Sequence, residues 1–252
     1  MSTAEREHIA GLAKGLAIIE AFGAERAELT VSEAAALAGL SRASARRCLL
    51  TLERLGYARS DGRYFRLAPR VLRLGYAYLS ASALARVVQP VLESLAERMH
   101  ESASVAILDG ADVVFIARAT SRRSLSAGLS IGTRMPAYCA ATGRVLLAAG
   151  SDAEAAAVLR ASELRKLTPH TLTGQRELME EIRRVRAQGY AVGDQEIELG
   201  LRIIAVPVRD AAGRVLAAMS LAARTSRVAR DAMLKKMLPA LEAGRRSLAS
   251  VL

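Results

Sequence analysis

The stretch that decides the fold runs from Thr30 to Tyr57, TVSEAAALAGLSRASARRCLLTLERLGY. Thr30 and Glu33 form a T-x-x-E pair, whose hydroxyl and carboxylate satisfy free amides at a helix start, and apolar Val31, Ala34, Ala35 and Leu37 follow. Gly39 supplies the backbone freedom for a tight turn. Ser41 then caps a second helix, in which Leu49, Leu50, Leu52 and Leu55 recur at helical spacing until Gly56 ends it. Two short helices across a glycine turn predict a helix-turn-helix.

The second helix opens small and basic, with Ser41, Arg42, Ser44, Arg46 and Arg47, and closes greasy. Its N-terminal end therefore suits a DNA major groove and its C-terminal half suits a core. Arg46 and Arg47 have the reach for guanine edges or phosphates, and Ser41 and Ser44 for phosphates at the helix start. The alternative is a solvated surface helix. The next residues weigh against it: Tyr57 to Leu67, YARSDGRYFRL, reads as two strands around a two-residue Asp61-Gly62 turn, the wing of a winged helix. Between positions 41 and 73 nine arginines face only Glu53 and Asp61, so most of the chain's net charge of +11 sits in an eighth of its length. Such asymmetry is the footprint of nucleic-acid binding, because each neutralised phosphate releases counterions. Arg59 and Arg63 on the wing, Thr30 at the first cap and Lys14 complete the expected DNA-contacting set.

Upstream, Ile9, Leu12, Leu16, Ile19 and Phe22 recur every three or four residues, giving an amphipathic helix to pack beneath the helix-turn-helix, with Lys14 on its other face. The 252 residues are 52% hydrophobic and 24% charged, enough for two domains with cores of their own. No run of about eighteen apolar residues appears and the start lacks the apolar centre of a secretory signal, so a cytoplasmic protein is expected. Cys48 and Cys139 lie far apart without CxxC or Cys/His spacing, and His8, His100 and His170 show no metal-binding spacing. No metal or cofactor is expected. A Cys139/His170 nucleophile pair and a redox role for Cys139 remain as alternatives to a binding protein.

Downstream, Pro69 suits the first turn of a further helix, read as a linker over 69–82 with apolar Leu72, Leu79, Tyr76 and Tyr78 in excess of what a lone helix buries. A second subunit is expected to cover them, so that two recognition helices meet a palindromic operator. A second domain then runs over 83–252: a helix to about residue 100, a hairpin around Asp109-Gly110, and a Gly/Pro-rich loop entering a small-residue helix. Helices near 152–161 and 174–188, further strands and a closing helix complete it. The expected organisation is α+β: a winged helix-turn-helix over 1–68, the linker helix, and a sheet flanked by helices.

With these residues in place the chain resembles the IclR family of bacterial transcription regulators along essentially its whole length. The features that carry the likeness are GLAKGLAIIEAF, the helix-turn-helix above, GTRMPAYCAATGRVLLA and QGYAVGDQEIELGLRIIAVPVRD. The last two look most like the branch that controls protocatechuate, 4-hydroxybenzoate and β-ketoadipate metabolism. The resemblance implies a GAF-like effector domain, dimers that pair into tetramers, control by a small aromatic or dicarboxylic acid, and RNA polymerase as a further partner at the promoter. Regulation of a different carboxylic-acid pathway is the runner-up.

By the same resemblance the effector-contacting positions are Ala127, Ala141, Thr142, Asp194, Ile203, Ser220 and Ala222. The residues themselves add a helix start at Ala141 to Gly143 that offers amides to a carboxylate. Arg134 or Arg202 is positioned to supply a charge-assisted bond, and Tyr138, Leu129 and Ile203 to line an aromatic ring. Against this, Arg202 is equally suited to pair with Asp194, Glu196 or Glu198, and Tyr138 to a core. Ile203 and Ala222 stand where relatives that bind small keto acids carry polar residues, which favours a larger, more apolar ligand.

Overall fold

The computed structural model describes residues 8–23, 25–121, 130–249 and 251–252. The chain divides into two compact units, Met1–Tyr78 and Leu79–Leu252. In the first, α1 (Ala10–Glu20), α2 (Val31–Leu37) and α3 (Arg42–Arg54) accompany β1 (Glu28–Leu29), β2 (Ala58–Ser60) and β3 (Phe65–Leu67), an antiparallel sheet ordered β1-β3-β2. Ile18, Ala34, Ala45, Leu49 and Phe65 form the buried centre.

The capping pair closes as the sequence predicts. Thr30 N–H donates to Glu33 Oε2 at 2.8 Å and Glu33 N–H to Thr30 Oγ1 at 3.3 Å. These bonds hold the Glu33 carboxyl below the usual range. Gly39 carries the turn at φ +64°, a conformation costly for any residue with a Cβ. The wing departs from expectation. Ser60 pairs with Phe65, which leaves four residues rather than two in the loop. Asp61 Oδ1 accepts the N–H groups of Tyr64 at 2.8 Å and Arg63 at 3.0 Å, and this side-chain closure sets the loop length in place of a tight two-residue turn. The sequence reading also missed β1, whose two residues are pinned by Arg66 Nε donating to Glu28 Oε2 at 2.7 Å.

A 3₁₀ turn at Pro69–Val71 leads into α4 (Leu72–Ala81), and Ser82 caps α5 (Ala83–Met99), which runs on through Pro90. The second unit is built on a six-stranded antiparallel sheet, ordered β6-β5-β4-β9-β8-β7. Its strands are β4 (Ser102–Asp109), β5 (Asp112–Ala119), β6 (Arg134–Pro136), β7 (Ala191–Asp194), β8 (Leu201–Arg209) and β9 (Val215–Arg224). The short β6 lies where the sequence reads only a Gly/Pro-rich loop.

Strand alternation sends side chains to two faces. Towards one, Val105, Ile116, Ile204, Val206, Met219 and Leu221 meet Val88, Leu92 and Leu95 of α5. The closing helical run covers this face too: α9 (Arg230–Ala232), a π-helical turn at Met233–Met237, then α10 (Leu238–Leu248). Towards the other, the strands offer small residues, Ala106, Ala205 and Ala218, beside Val113 and Phe115. Three helices pack there: α6 (Ala141–Ala149), α7 (Asp152–Ala161) and α8 (Gln175–Gln188). The small residues admit α6 close to the sheet. Gly143 packs tightly on the segment that leads from β6 into α6, since a Cβ there would stand 2.1 Å from the Ala137 carbonyl oxygen.

Candidate functional site

Two polar sites arise from these frames. The first is the outer face of α3. Ala45, Leu49 and Leu52 turn inward, which leaves Arg42, Arg46 and Arg47 exposed; no ion pair engages any of the three among the described residues. Ser41 is spent as the N-cap: its oxygen accepts Ser44 N–H at 3.3 Å and its hydroxyl donates to Ser44 Oγ at 3.1 Å. On the wing, Arg59 is exposed and Arg63 lies over the Tyr64 ring, 5.1 Å from its centroid. Lys14, half-buried on α1, borders a groove with Leu12, Leu16, Arg47 and Leu55. Thr30 is occupied by its cap with Glu33. Arg70 serves structure, donating to Leu55 O at 2.8 Å at the end of α3. What α3 and the wing present is surplus, hydrated positive charge beside a helix start, suited to phosphates and base edges.

The second site lies inside the second unit, where α6 begins. Its N-cap is Ala140, in extended conformation, and no side chain caps the helix. Arg144 N–H makes the first helical bond, to Ala140 O at 3.0 Å. Ala141, Thr142 and Gly143 donate no backbone hydrogen bond to any described residue, although Ala141 and Thr142 are buried. Amides left unpaired in an interior cost free energy comparable to a lost bond, so such a helix start is a prepared anion site. Gly193 on β7 lies beside it: a Cβ there would make an ordinary contact with Ala141 Cβ, at 3.6 Å.

The sheet beneath contributes hydroxyls. Ser104 pairs with Ser220, Ser220 with Ala205, and Ala222 with both Ser102 and Ile203, all on the face that carries α6. Ser104, Ser220 and Thr142 are buried, and their hydroxyls form no bond with described residues. Arg118 pairs with Ser104 in register and so shares this face. Its guanidinium reaches Thr120 Oγ1 at 3.3 Å and Ser102 Oγ at 3.5 Å, and burial pulls its pKa below the ordinary arginine value. Amides, three hydroxyls and a desolvated cation beside apolar Ile203 and Ala222 make a site for one carboxylate on an apolar body.

Of the sequence-predicted effector residues, the structure therefore brings together Ala141, Thr142, Ile203, Ser220 and Ala222. Ala127 and Leu129 lie outside the described residues. Four others go elsewhere, and these are corrections. Arg134 is exposed on β6 and is consumed by the β4–β5 turn, donating to Asp109 Oδ2 at 2.5 Å and Asp112 Oδ2 at 3.2 Å. Asp194 and Arg202 are register partners on the opposite face, where Arg202 donates to Asp194 Oδ2 and to Val228 O, each at 2.9 Å. One residue of strand phase separates Arg202 from Ile203 and sends the two to different sides. Tyr138 is a core residue whose hydroxyl donates to Arg165 O at 2.6 Å.

The sequence reading missed Ser104 and Arg118. The signal was present: both are polar positions that alternate with apolar ones in strands otherwise made for a core. Cys139 is fully buried, its thiol is pushed up to about 11 by burial, and Sγ donates to Pro136 O at 3.5 Å. A thiol so protonated is a poor nucleophile or peroxide sensor. Among the described residues no three metal-ligating side chains cluster.

Comparison with known proteins follows the same division. The profile of the IclR helix-turn-helix domain matches residues 11–62, and that of the bacterial transcriptional regulator IclR C-terminal domain matches residues 76–249. The Pca regulon regulatory protein of Pseudomonas putida is 45% identical over 247 residues, 98% of this chain and 85% of that protein. The p-hydroxybenzoate hydroxylase transcriptional activator of Acinetobacter baylyi is 39% identical over 240 residues, 93% and 89% of the two chains. Among solved structures, an IclR homologue from Microbacterium hydrocarbonoxydans complexed with 4-hydroxybenzoate superposes with a TM-score of 0.78 at 25% identity, over 96% of this chain and 98% of that one.

Proposed function

This chain belongs to the IclR family of bacterial transcriptional regulators, and we propose that it binds an aromatic acid of the 4-hydroxybenzoate or protocatechuate kind and thereby controls genes of aromatic-compound catabolism. The observation that carries this reading is the buried, uncapped start of α6, with Thr142 in its first turn, packed on the sheet face that holds Ser104, Ser220 and Arg118. The carboxylate takes the free amides of residues 141–143 and the Arg118 guanidinium. The ring lies against Ile203 and Ala222, and Ser104 or Ser220 is available to a polar group on the acid. The relatives named above support the choice of acid.

The DNA half of the proposal rests on Arg42, Arg46, Arg47, Ser44, Arg59 and Arg63, with Lys14 in support. Residues 1–68 form the DNA-binding domain, 69–82 the linker helix and 83–252 the effector domain. The proposed assembly is a homodimer on a palindromic operator that pairs further into a tetramer, and α4 supports the dimer: it buries none of its own residues, and Leu72, Leu74, Tyr76 and Tyr78 stand exposed, so a second copy is the natural cover. The protein acts in the cytoplasm as a regulator and not as an enzyme. Regulation is a population shift, since an acid moves the operator-binding equilibrium only by its unequal affinity for two states; a tenfold change in operator affinity needs about 1.4 kcal/mol of coupling.

Thermal melting of the full chain tests this against 4-hydroxybenzoate, protocatechuate, β-ketoadipate, pyruvate and glyoxylate. An acid at a hundred times its dissociation constant stabilises by about 2.7 kcal/mol, which a melt resolves. A selective shift with an aromatic acid is expected. Shifts only with pyruvate or glyoxylate, or none at all, would overturn the aromatic assignment.

A further inference from the structure

One charged pair of the second unit has no place in the contacts just assigned. Arg144, one residue beyond the free amides of α6, is 1% exposed, and Glu196 is 7% exposed. The Arg144 guanidinium grips the Glu196 carboxylate with both terminal nitrogens, Nη1 to Oε1 at 2.6 Å and Nη2 to Oε2, while Nε donates to Tyr138 O at 3.0 Å. Glu196 Oε2 also accepts Leu172 N–H at 3.3 Å. The Glu196 carbonyl accepts Thr171 Oγ1 at 2.6 Å, and the neighbouring Gln195 carbonyl accepts Thr168 Oγ1 at 2.7 Å. Four separate segments thus meet at one buried pair.

Burial makes this pair weak evidence for stability, because desolvating two charges costs about as much as their attraction returns. Its geometry indicates another role. The Nε bond to Tyr138 O holds the residues that lead into α6, and therefore the direction of the amides of Ala141, Thr142 and Gly143. The carboxylate is two residues from the end of β7, whose Gly193 abuts Ala141. The connecting segment is itself held in an unfavourable shape: Gln195 has φ +60°, supported by Gly200 N–H donating to its Oε1 at 3.0 Å.

We propose that Arg144 and Glu196 are positioning residues for effector binding, clamping the helix start to the strand end so that the amide array fits one carboxylate. The inference rests on the anion site proposed above and adds the device that sets its geometry. It needs the bidentate fit and not charge balance alone, so variants that keep the charges but shorten or narrow the grip are informative. Arg144→Lys keeps the cation and loses the fork; Glu196→Asp keeps the anion and shortens its reach by one methylene.

The test is calorimetric titration of the full-length wild type and both variants with 4-hydroxybenzoate and with its uncharged analogue 4-hydroxybenzamide, beside operator binding without ligand. Each folded variant is expected to bind the acid at least tenfold more weakly, with the amide affinity and the unliganded operator affinity within about twofold of wild type. If Arg144→Lys fails to fold, Glu196→Asp decides alone. Wild-type affinity for the acid in a folded variant, whatever its melting temperature, would overturn the positioning role and leave the anion site standing. Equal losses for acid and amide would also overturn it, in favour of a general structural role. A wild type that binds no acid would instead overturn the anion site itself.

Discussion

Arg46 on α3 and Arg144 on α6 are the same side chain in opposite circumstances. Arg46 is exposed, with no carboxylate engaging it among the described residues, while Arg144 is sealed in the interior and bound to Glu196 and a carbonyl. A group that meets a polyanion must keep its charge available and hydrated until phosphates displace ions and water. A charge inside a core must already be matched, because an unmatched one costs several kcal/mol. The first unit therefore builds its site from surplus charge on a surface. The second, in the site proposed for it, relies on backbone amides and small hydroxyls, with Arg118 as a cation beside the sheet residues Ser102 and Ser104. The size of the ligand explains the contrast: an operator is too large to enclose, whereas a small acid can be surrounded.

The sharpest way to break the contrast is at Gly143. A valine there has no room beside Ala137 O, so Gly143→Val is expected to cost about 3 kcal/mol or more in urea unfolding of the second unit and to abolish acid binding. A variant of wild-type stability would mean that the helix start is looser than its contact with Ala137 implies.

Next in size is Arg118→Ala, expected to weaken binding of 4-hydroxybenzoate by about 1.5–3 kcal/mol in calorimetry while operator affinity stays unchanged. A loss on the operator and none on the acid would move Arg118 out of the effector site. On the surface, Arg46→Ala or Arg47→Ala is expected to cost about 1–3 kcal/mol of operator affinity relative to random DNA, and Arg63→Ala to reduce the salt slope by about 1. Equal losses on specific and random DNA for all three would demote the two α3 arginines to phosphate contacts.

Ser220→Ala should weaken acid binding by only about 1 kcal/mol, since a neutral hydroxyl is removed from a site that keeps its amides. The smallest effect concerns Cys139. Its raised pKa keeps the thiol protonated at neutral pH, so iodoacetamide should label half-exposed Cys48 and spare Cys139 in the folded chain, with peroxide leaving operator binding unchanged. Rapid labelling of Cys139 would restore the redox alternative.

The surface site was the more legible one because its signals are local. A capping pair, a glycine turn and arginines one helical turn apart act within a few residues of each other, so reading them needs no knowledge of distant chain. The loop length of the wing was misjudged for a local reason too, since Asp61 closes two amides at once and so favours four residues over two. In the interior, family likeness led to Ala141, Thr142, Ile203, Ser220 and Ala222 but also to Asp194, which lies on the other face of the sheet, while Arg134 and Arg202 were drawn in by charge. Which face a strand residue meets depends on pairing phase and not on residue type.

By itself the sequence determined the winged helix-turn-helix, its positive face, the α+β second half and the family. Each follows from short-range propensity, charge density or motif. Only the tertiary structure decided which polar groups share the buried site. Sheet register puts Ser104, Ser220 and Arg118 on one face and Asp194 with Arg202 on the other, and the small residues Ala106, Ala205 and Ala218 admit an uncapped helix to the first face. Burial is a property of the assembled layers, and it suits ordinary amides and hydroxyls to the anion site proposed for them by removing the water that would otherwise satisfy them.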